Sequence, residues 1–409
     1  MEPEQSKKIC LITPGHLASN PRLIKEAIAL SSKGFRIHLI FTQYVKYLVD
    51  FDRQLLAKHP LWTFDVLNWT GENFSSKVIR YLSSTRYKLL KYSTKTNIAF
   101  LANRHYTWQL KRAIKTNASL YIAHNLGSLA IAVSAAKENG SKCGFDAEDF
   151  HRNETKDDTE NKDFILKKNI EDKYIPSLDY MTASSPIIAE KYAHLYTRDV
   201  LTILNVFPQT TIKSKSNFDK PLKIFWFSQT IGANRGLENI IHAISKLEFK
   251  VQLALLGKID TAYLNQLNSL AKSLKLKSKI FFYRSVFPDD LFKIAAKFDI
   301  GIASEPGFSI NNDIALSNKF FTYIQCGLIL ISSSTTAQKQ FINQFPELGK
   351  VYHNNDELAS LIAFYNEERQ TLNLHKKIAF DLGQKQFNWE IESQKLLILI
   401  KNLLSEYGE

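Results

Sequence analysis

Short apolar runs alternate along this chain with longer segments of helical period. Such runs are typical of strands that are buried on both faces of a sheet. The sequence predicts two successive sets of strands, at residues 8–13, 36–41, 120–124, 143–148, 179–184 and 201–206, then at residues 222–228, 251–257, 279–283, 299–304 and 328–332. Strands that alternate with helices form parallel sheets, so two sets predict an α/β protein of two doubly wound, Rossmann-like domains facing across a ligand cleft.

The boundary between the two sets is predicted at a polar segment without a strand or helix period, residues 208–220. It follows a first domain at 1–207 and precedes a second domain at 221–386. The last segment, 387–409, has Leu396, Leu397, Ile400 and Leu403 at helical spacing after Trp389. We expect this helix to cross back to the first domain.

Composition places the chain among soluble globular proteins, with 44% hydrophobic and 23% charged residues in 409. No apolar run reaches the roughly 18 residues that span a bilayer, and the first residues do not match a signal peptide, so a cytoplasmic location is expected. The three cysteines, Cys10, Cys143 and Cys326, lie far apart among apolar residues, which predicts buried thiols.

The net charge of +13 is unevenly distributed. No acidic residue lies between Glu72 and Glu138, while Lys and Arg alternate with aromatic residues over positions 77–115. Such a basic, aromatic, helical surface suits an anionic membrane face, which predicts peripheral association with the inner membrane. A nucleic-acid partner is not expected, because no nucleic-acid motif accompanies the charge.

The stretch from Asp299 to Ser332 has the pattern of a ligand site. A strand ends in a polar loop opened by Glu305, and a helix then begins at Ser317, Asn318 and Lys319. A Lys near a helix start opposes the helix dipole, which is reasonable if a phosphate neutralises it. Solvation of Lys319 on an exposed face is the alternative.

A second glycine-containing turn follows the strand at residues 222–228 and runs from Gln229 to Leu237. Gly236 lets backbone N–H groups face an anion, and Arg235 supplies a fixed positive charge for a pyrophosphate without a metal. The turn is neither a P-loop nor a dinucleotide fingerprint, and a surface Arg near a helix cap is the alternative.

The first half offers three candidates at strand ends. Gly15 and His16 follow the first strand, where a glycine permits close approach of a ligand, although a plain strand-to-helix turn explains it equally. His124 ends another strand and is placed to bond a substrate hydroxyl or to be satisfied by backbone. Asp149 and His151 lie in an ionisable cluster that needs a polar ligand or mutual pairing, and no second ligand set predicts a metal.

Taken together these turns resemble the two-domain, nucleotide-sugar-dependent glycosyltransferases of the retaining group known as family four, which have the GT-B architecture. The resemblance covers nearly the whole chain and rests on the order and spacing of residues 16–40, 121–125, 144–151, 200–208, 228–244, 299–306 and 317–327.

The resemblance implies that the second domain holds the donor and the first domain the acceptor. Arg235, Gly236, Asn318 and Lys319 would then bind the donor's pyrophosphate side, with Gly15 approaching the phosphates. It further implies catalytic roles for His124 and Glu305 near the donor sugar, and an acceptor side formed by His16, Asp149 and His151.

Two positions depart from the family. Thr322 stands where a Glu usually grips the ribose, and Gln229 stands where the phosphate turn usually has an Arg. Loss of one carboxylate and one guanidinium would weaken donor binding by about 1–3 kcal/mol each if nothing replaces them.

The function that this resemblance implies is transfer of a hexose-like sugar from a nucleotide donor to a glycan or lipid-linked acceptor, in cell-surface polysaccharide or glycoconjugate synthesis. It implies retention of configuration, without a metal or another cofactor. The alternatives are a nucleotide-sugar epimerase of the same architecture and a non-catalytic binding protein.

Overall fold

The structure is a computed structural model that describes residues 7–91, 97–155, 157–218, 221–286 and 288–405. Its contacts divide the chain into two units. The first unit comprises Met1–Ile203 and Ser393–Glu409, and the second unit comprises Leu204–Glu392.

The first unit contains a seven-stranded sheet in which every neighbouring pair is parallel. Its strands are β1 Lys8–Ile12, β2 Arg36–Gln43, β3 Thr63–Asn68, β4 Leu120–His124, β5 Lys142–Ala147, β6 Tyr180–Ala183 and β7 Leu201–Thr202. The spatial order is β3-β2-β1-β4-β5-β6-β7. The order reverses between β1 and β4, so the crevice at the carboxyl ends of these two strands is the expected ligand position.

Helices connect these strands. They are α1 Pro21–Ser32, α2 Leu48–Ala57, α3 Phe74–Leu90, α4 Ile98–Ala102, α5 Tyr106–Thr116, α6 Leu126–Asn139, α7 Lys162–Tyr174 and α8 Pro186–Tyr196, with short 3-10 turns at Leu17–Ser19, His151–Asn153 and Ile175–Ser177. The start of α1 follows from its sequence, because the Asn20 side chain accepts from the Leu23 N–H and Pro21 occupies the first turn.

The second unit repeats this plan with a six-stranded parallel sheet, in the order β10-β9-β8-β11-β12-β13. Its strands are β8 Lys223–Ile231, β9 Gln252–Ile259, β10 Lys279–Tyr283, β11 Ile300–Ala303, β12 Ile329–Ser333 and β13 Gly349–Tyr352. Its helices are α9 Leu237–Ser245, α10 Thr261–Ser273, α11 Pro288–Ala295, α12 Ile310–Ile314, α13 Asn318–Cys326, α14 Thr336–Gln344, α15 Asn355–Glu367 and α16 Arg369–Lys385, with a 3-10 turn at Pro346–Leu348. The order reverses between β8 and β11.

All the predicted strands are present, which confirms the α/β prediction, but the sequence reading missed β3 and β13. Both are edge strands, so each has only one neighbour and keeps polar residues. The residues of β3 are half-buried or exposed, and therefore lack the continuous apolar run that identified the central strands. The strand predicted at 201–206 is also shorter, because only Leu201 and Thr202 pair with β6.

The segment predicted as a linker has neither helix nor strand in its described residues. It packs within the second unit, because the Ser214 hydroxyl donates to the Phe298 carbonyl at 2.6 Å and the Asn217 side-chain amide donates to Asp299 at 2.7 Å. The exact domain boundaries remain a prediction.

The C-terminal helix, α17 Trp389–Ser405, begins in the second unit and belongs to the first unit from Ser393 onward. Leu396 and Ile400 are fully buried, in agreement with the predicted apolar face. The three cysteines are buried free thiols, as predicted. Within the described residues, none of the helices has the length and apolarity that crossing a bilayer requires.

Candidate active site

The turn after β1 is the first predicted element of the site. Gly15 does not adopt the left-handed region, and its carbonyl accepts from the Thr42 N–H at 3.2 Å. A Cβ added there would lie 3.4 Å from the Tyr44 ring, which is ordinary van der Waals contact. Packing within the first unit therefore does not require a glycine at this position.

His16 is enclosed rather than exposed. Its Nδ1 lies 2.7 Å from an Asp52 carboxylate oxygen, and its Nε2 accepts from the backbone N–H groups of Tyr44 and Val45 at 2.9 Å. Two donors at Nε2 require the ring proton to be on Nδ1. Both nitrogens are used within the fold, so a positioning role for the turn suits His16 better than the predicted acceptor contact.

His124 lies at the carboxyl end of β4, opposite Asp146 of β5 in the sheet register. Its Nε2 is 3.2 Å from a Glu26 carboxylate oxygen and its Nδ1 is 3.5 Å from Asp146, and the side chain is 2% exposed. Burial alone would lower the pKa of His124, yet Glu26 and Asp146 outweigh burial and raise it to about 9. The imidazole is therefore cationic at neutral pH and can donate hydrogen bonds, but cannot serve as a general base there.

A fully buried arginine completes this group, which we call the His124 network: Arg22, Glu26, His124 and Asp146. The Arg22 guanidinium binds both carboxylate oxygens of Asp146 and donates to the Ile203 carbonyl at 2.8 Å. Burial would raise the pKa of Asp146, but Arg22 and His124 hold it well below its usual range. Sequence reasoning did not select Arg22 or Glu26. The available signal was a pair of charges four residues apart among the apolar positions of α1.

Asp149 and His151 lie after β5, as predicted. His151 is buried, its backbone N–H donates to the Tyr192 hydroxyl at 3.1 Å, and its Nδ1 lies 3.5 Å from Glu154. Burial opposes the charged ring, but Glu154 raises the pKa of His151 above its ordinary value. Its Nε2 is buried and has no hydrogen-bond partner within the described ranges, and the same is true of the Nε2 of His124.

Among the residues that the structure describes, two groups of side chains have ligand atoms close enough for a metal ion: Glu26 with His124 and Asp146, and Asp149 with His151 and Glu154. In each group a carboxylate already has a protein cation, because Arg22 binds Asp146 and Lys167 lies 3.0 Å from Glu154. These pairings give no support for a metal, and its absence from the mechanism remains a prediction.

In the second unit, hydrogen bonds of Ser304 join the turn after β8 to the loop after β11. The Ser304 hydroxyl donates to the Arg235 carbonyl at 2.7 Å and accepts from the Trp226 indole at 3.1 Å. Gly236 has φ 70°, and a Cβ there would lie 2.9 Å from Ser304 atoms, so the fold requires a glycine. Arg235 is half-buried and Gln229 is exposed.

Glu305 follows directly and is hydrogen-bonded to Lys319, with both side chains buried. Burial would raise the pKa of Glu305, but Lys319 and, to a smaller extent, Arg235 lower it. The Lys319 ammonium also lies 5.9 Å from the centre of the Trp226 ring. The structure therefore brings together three predicted residues, Arg235, Glu305 and Lys319, at the point where the strand order reverses. We call Glu305 and Lys319 the Glu305 pair.

Helix α13 begins as predicted, with the Ser317 hydroxyl accepting from the Lys319 N–H at 3.2 Å, and ends at Gly327 with φ 68°. Asn318 is half-buried in its first turn. Thr322 is fully buried one turn later, and its hydroxyl donates to the Asn318 carbonyl at 3.1 Å. The Thr322 side chain is therefore engaged within its own helix.

A cavity of about 320 Å³ opens beside this loop, within the second unit. Its lining comes from the carboxyl ends of β11, β12 and β13, from α12 and from the start of α9. It includes Glu305, Asp313, Thr335 and His353. Such a lining of carboxylates and hydroxyls suits a polar ligand. A larger and more open depression of about 520 Å³ lies at α10 and the start of β10, away from this edge of the sheet.

Comparison with solved structures decides the fold. Anabaena Alr3699/HepE in complex with UDP and glucose is 13% identical, with a TM-score of 0.68 over 97% of this chain and 100% of that chain. Sucrose-phosphate synthase from Thermosynechococcus elongatus is 13% identical, with a TM-score of 0.72 over 98% of this chain and 100% of that chain. The chain has the GT-B fold.

A third solved structure, a putative UDP-N-acetylglucosamine 2-epimerase from Listeria monocytogenes, is 11% identical, with a TM-score of 0.61 over 98% of this chain and 97% of that chain. No family model matches the sequence, and no curated protein matches it either. At these identities the GT-B likeness establishes the architecture, and the residues must carry any argument about activity.

Proposed function

We propose that the protein is a glycosyltransferase that uses a nucleotide-sugar donor. The observation that carries this proposal is the Glu305 pair beside Arg235, at the carboxyl edge of β8 and β11. One carboxylate and two cations suit a ligand that has both hydroxyl groups and a pyrophosphate. One structural neighbour, Anabaena Alr3699/HepE, is in complex with UDP and glucose and supports the same ligand class.

The donor would be held by the second unit. Arg235, Lys319 and the N-terminal N–H groups of α13 would stabilise the charge that develops on the leaving pyrophosphate. The lowered pKa keeps Glu305 ionised at neutral pH, so Glu305 would accept hydrogen bonds from sugar hydroxyls rather than donate a proton. Retention of configuration and a mechanism without a metal or other cofactor are part of this proposal.

The first unit would hold a glycan or lipid-linked acceptor. Among the predicted residues, the half-buried Asp149 would contact it directly, with the buried His151 behind. We further propose that His124 supplies positive charge through its network, and that the protein acts in the cytoplasm on cell-surface glycans.

The test is a panel of nucleotides and nucleotide sugars with the purified protein, read by thermal shift and by release of the nucleoside diphosphate. A ligand that binds only the folded state raises the midpoint of unfolding. Glu305→Gln and Arg235→Ala should each lower the rate of nucleotide release at least tenfold, whereas Arg53→Ala, an exposed arginine of α2, should not. Stabilisation by no nucleotide of the panel would refute the proposal.

A second candidate is a nucleotide-sugar epimerase, because the epimerase from Listeria has the same architecture. Product analysis separates the two activities. This candidate would be favoured, and sugar transfer contradicted, if the donor alone gave an epimer without any acceptor. The epimer could still carry the nucleotide or be released together with it. Nucleotide binding with neither reaction would instead indicate a non-catalytic binding protein.

A further inference from the structure

The apolar side of helix α3 is exposed to solvent. Phe74, Val78, Tyr81, Leu82 and Leu89 fall at i, i+4, i+7, i+8 and i+15, which is one face of a helix, and they are between 38% and 84% exposed. A helix at the surface of a globular protein ordinarily packs such a stripe against its core.

The opposite side of α3 is polar and faces the first unit. Ser76 is buried, Arg80 donates to the Thr70 carbonyl at 2.7 Å, and the Tyr87 hydroxyl donates to the Leu101 carbonyl at 3.4 Å. The Tyr87 ring also packs on the Phe100 ring, with centroids 6.0 Å apart, so both polar and apolar contacts hold this side of α3. The exposed apolar stripe on the other side is left without such contacts to the described part of the protein and is available to a partner.

Basic residues border this stripe. Steps of 100° per residue place Lys77 and Lys88 along one border and Arg86 along the other, and all three side chains are exposed. The Arg86 guanidinium lies 4.9 Å from the centre of the Phe100 ring, so the two lysines are the better headgroup ligands. No acidic residue occurs between Glu72 and Glu138. An apolar face bordered by Lys and Arg is complementary to anionic headgroups above acyl chains, since the long basic side chains reach the headgroups while the apolar residues insert.

Two other basic residues predicted for this surface have partners within the protein. Arg104 lies 4.9 Å from the centre of the Trp69 ring, and Arg112 lies 3.5 Å from an Asp65 carboxylate oxygen. Lys95 lies outside the described residues. Lys111 and Lys115 of α5 are exposed, but no large apolar side chain among the described residues of that helix is. We therefore narrow the prediction for residues 77–115 to the outward face of α3.

We propose that the outward face of α3 binds an anionic lipid surface, with Phe74, Leu82 and Leu89 inserted and Lys77 and Lys88 at the headgroups. This inference rests on the proposed function, because a lipid-linked acceptor would lie at a membrane. Its test uses neither donor nor acceptor, so that it can fail independently of glycosyl transfer.

The experiment is sedimentation of the full chain with phosphatidylcholine vesicles containing about one third phosphatidylglycerol, and with vesicles of phosphatidylcholine alone. Binding should be selective for the anionic vesicles and should weaken at high salt, because the Debye length falls from about 10 Å at 0.1 M to about 3 Å at 1 M. Leu82→Glu should lower the affinity at least about tenfold, and Lys88→Glu at least about fivefold.

Matched controls are available in the second unit. Leu374→Glu replaces a leucine that is 57% exposed, close to the 60% of Leu82. Lys339→Glu replaces an exposed lysine of α14. Neither should change vesicle binding. Three results would overturn the proposal: no sedimentation with either vesicle, equal loss in the control variants, or a dimer in solution that Leu82→Glu dissociates.

Discussion

The two units place charged residues at the same topological position, where the strand order of a parallel sheet reverses, but they surround them differently. In the first unit, His124, Glu26, Asp146 and Arg22 are all buried and paired with one another. In the second unit, the Glu305 pair adjoins a cavity, a half-buried Arg235 and an exposed Gln229. A fully buried network contributes mainly to positioning, whereas a buried pair whose carboxylate lines a cavity can exchange its partner for a ligand.

Replacing Arg22 should have the largest effect and tests whether the His124 network is structural. Arg22→Ala leaves Asp146 buried without its guanidinium partner, and should lower the free energy of unfolding by about 3–5 kcal/mol. Arg53→Ala, which removes an exposed ion pair, should change it by less than about 1 kcal/mol. Urea denaturation measures both. Equal effects would show that the His124 network is not the buried structural element described above.

The matching change in the second unit should separate stability from binding. Lys319→Met alone removes the main cationic partner of the buried Glu305, and should destabilise the protein by about 3 kcal/mol. The double variant Lys319→Met with Glu305→Gln removes both charges, so most of the stability should return while nucleotide binding stays at least about tenfold weaker. Calorimetry with the nucleotide that stabilises the wild type measures the binding. Wild-type affinity in the double variant would contradict a ligand role for the pair.

The His124 network also predicts a dependence of stability on pH. The pKa of His124 is raised from 6.5 to about 9, so its stabilisation is complete below about pH 6.5 and is lost as the pH rises towards 9. The loss should be about 3 kcal/mol, from roughly 1.4 kcal/mol for each pKa unit. It should be absent from His124→Gln, as measured by urea denaturation from pH 6 to pH 9.5.

Lys25 provides an internal control of the opposite sign. Burial first, and then Arg22, lower the pKa of Lys25 to about 7, so its contribution to stability increases as the pH rises from about 7 towards its ordinary value of 10.5. The variant Lys25→Met should therefore show a steeper loss of stability above pH 7 than the wild type. A shallower loss would contradict the charge assignment in this part of α1.

Two glycines give the smallest expected effects and test the same contrast. Gly236→Ala should cost about 1–3 kcal/mol, because it combines a φ of 70° with close approach to Ser304. Gly15→Ala should change the free energy of unfolding by less than about 1 kcal/mol, since its Cβ would have ordinary contacts. If Gly15 is kept for a ligand, Gly15→Ala should instead lower the rate of nucleotide release. An unchanged rate would make this turn a plain connection.

Much of the fold could be read from the sequence, because central parallel strands are buried on both faces and therefore appear as apolar runs. The edge strands β3 and β13 could not, since half-buried strands keep polar residues. The start of α13 at Ser317 and its end at Gly327 were also readable, because capping depends on residues adjacent in the chain.

The residues of the candidate site also fall into two sets, those that the sequence predicted and those that it did not. The sequence selected Glu305, Lys319 and Arg235, because strand ends and helix starts mark the carboxyl edge of a parallel sheet. It did not select Arg22, Glu26 or Asp52, which lie on helices and act on distant residues through buried contacts. A charged residue in an apolar helix period is visible in the sequence, but its partner is not.

By itself the sequence determined the alternation of strands and helices, the two sheets and the strand ends at which chemistry is expected, because these depend on local periodicity and on capping. The tertiary structure alone decided that His16 and His124 are enclosed, that Glu305 is paired with Lys319, and that α3 presents its apolar side outward. Burial and charge pairing depend on residues far apart in the chain, and only packing brings those residues together.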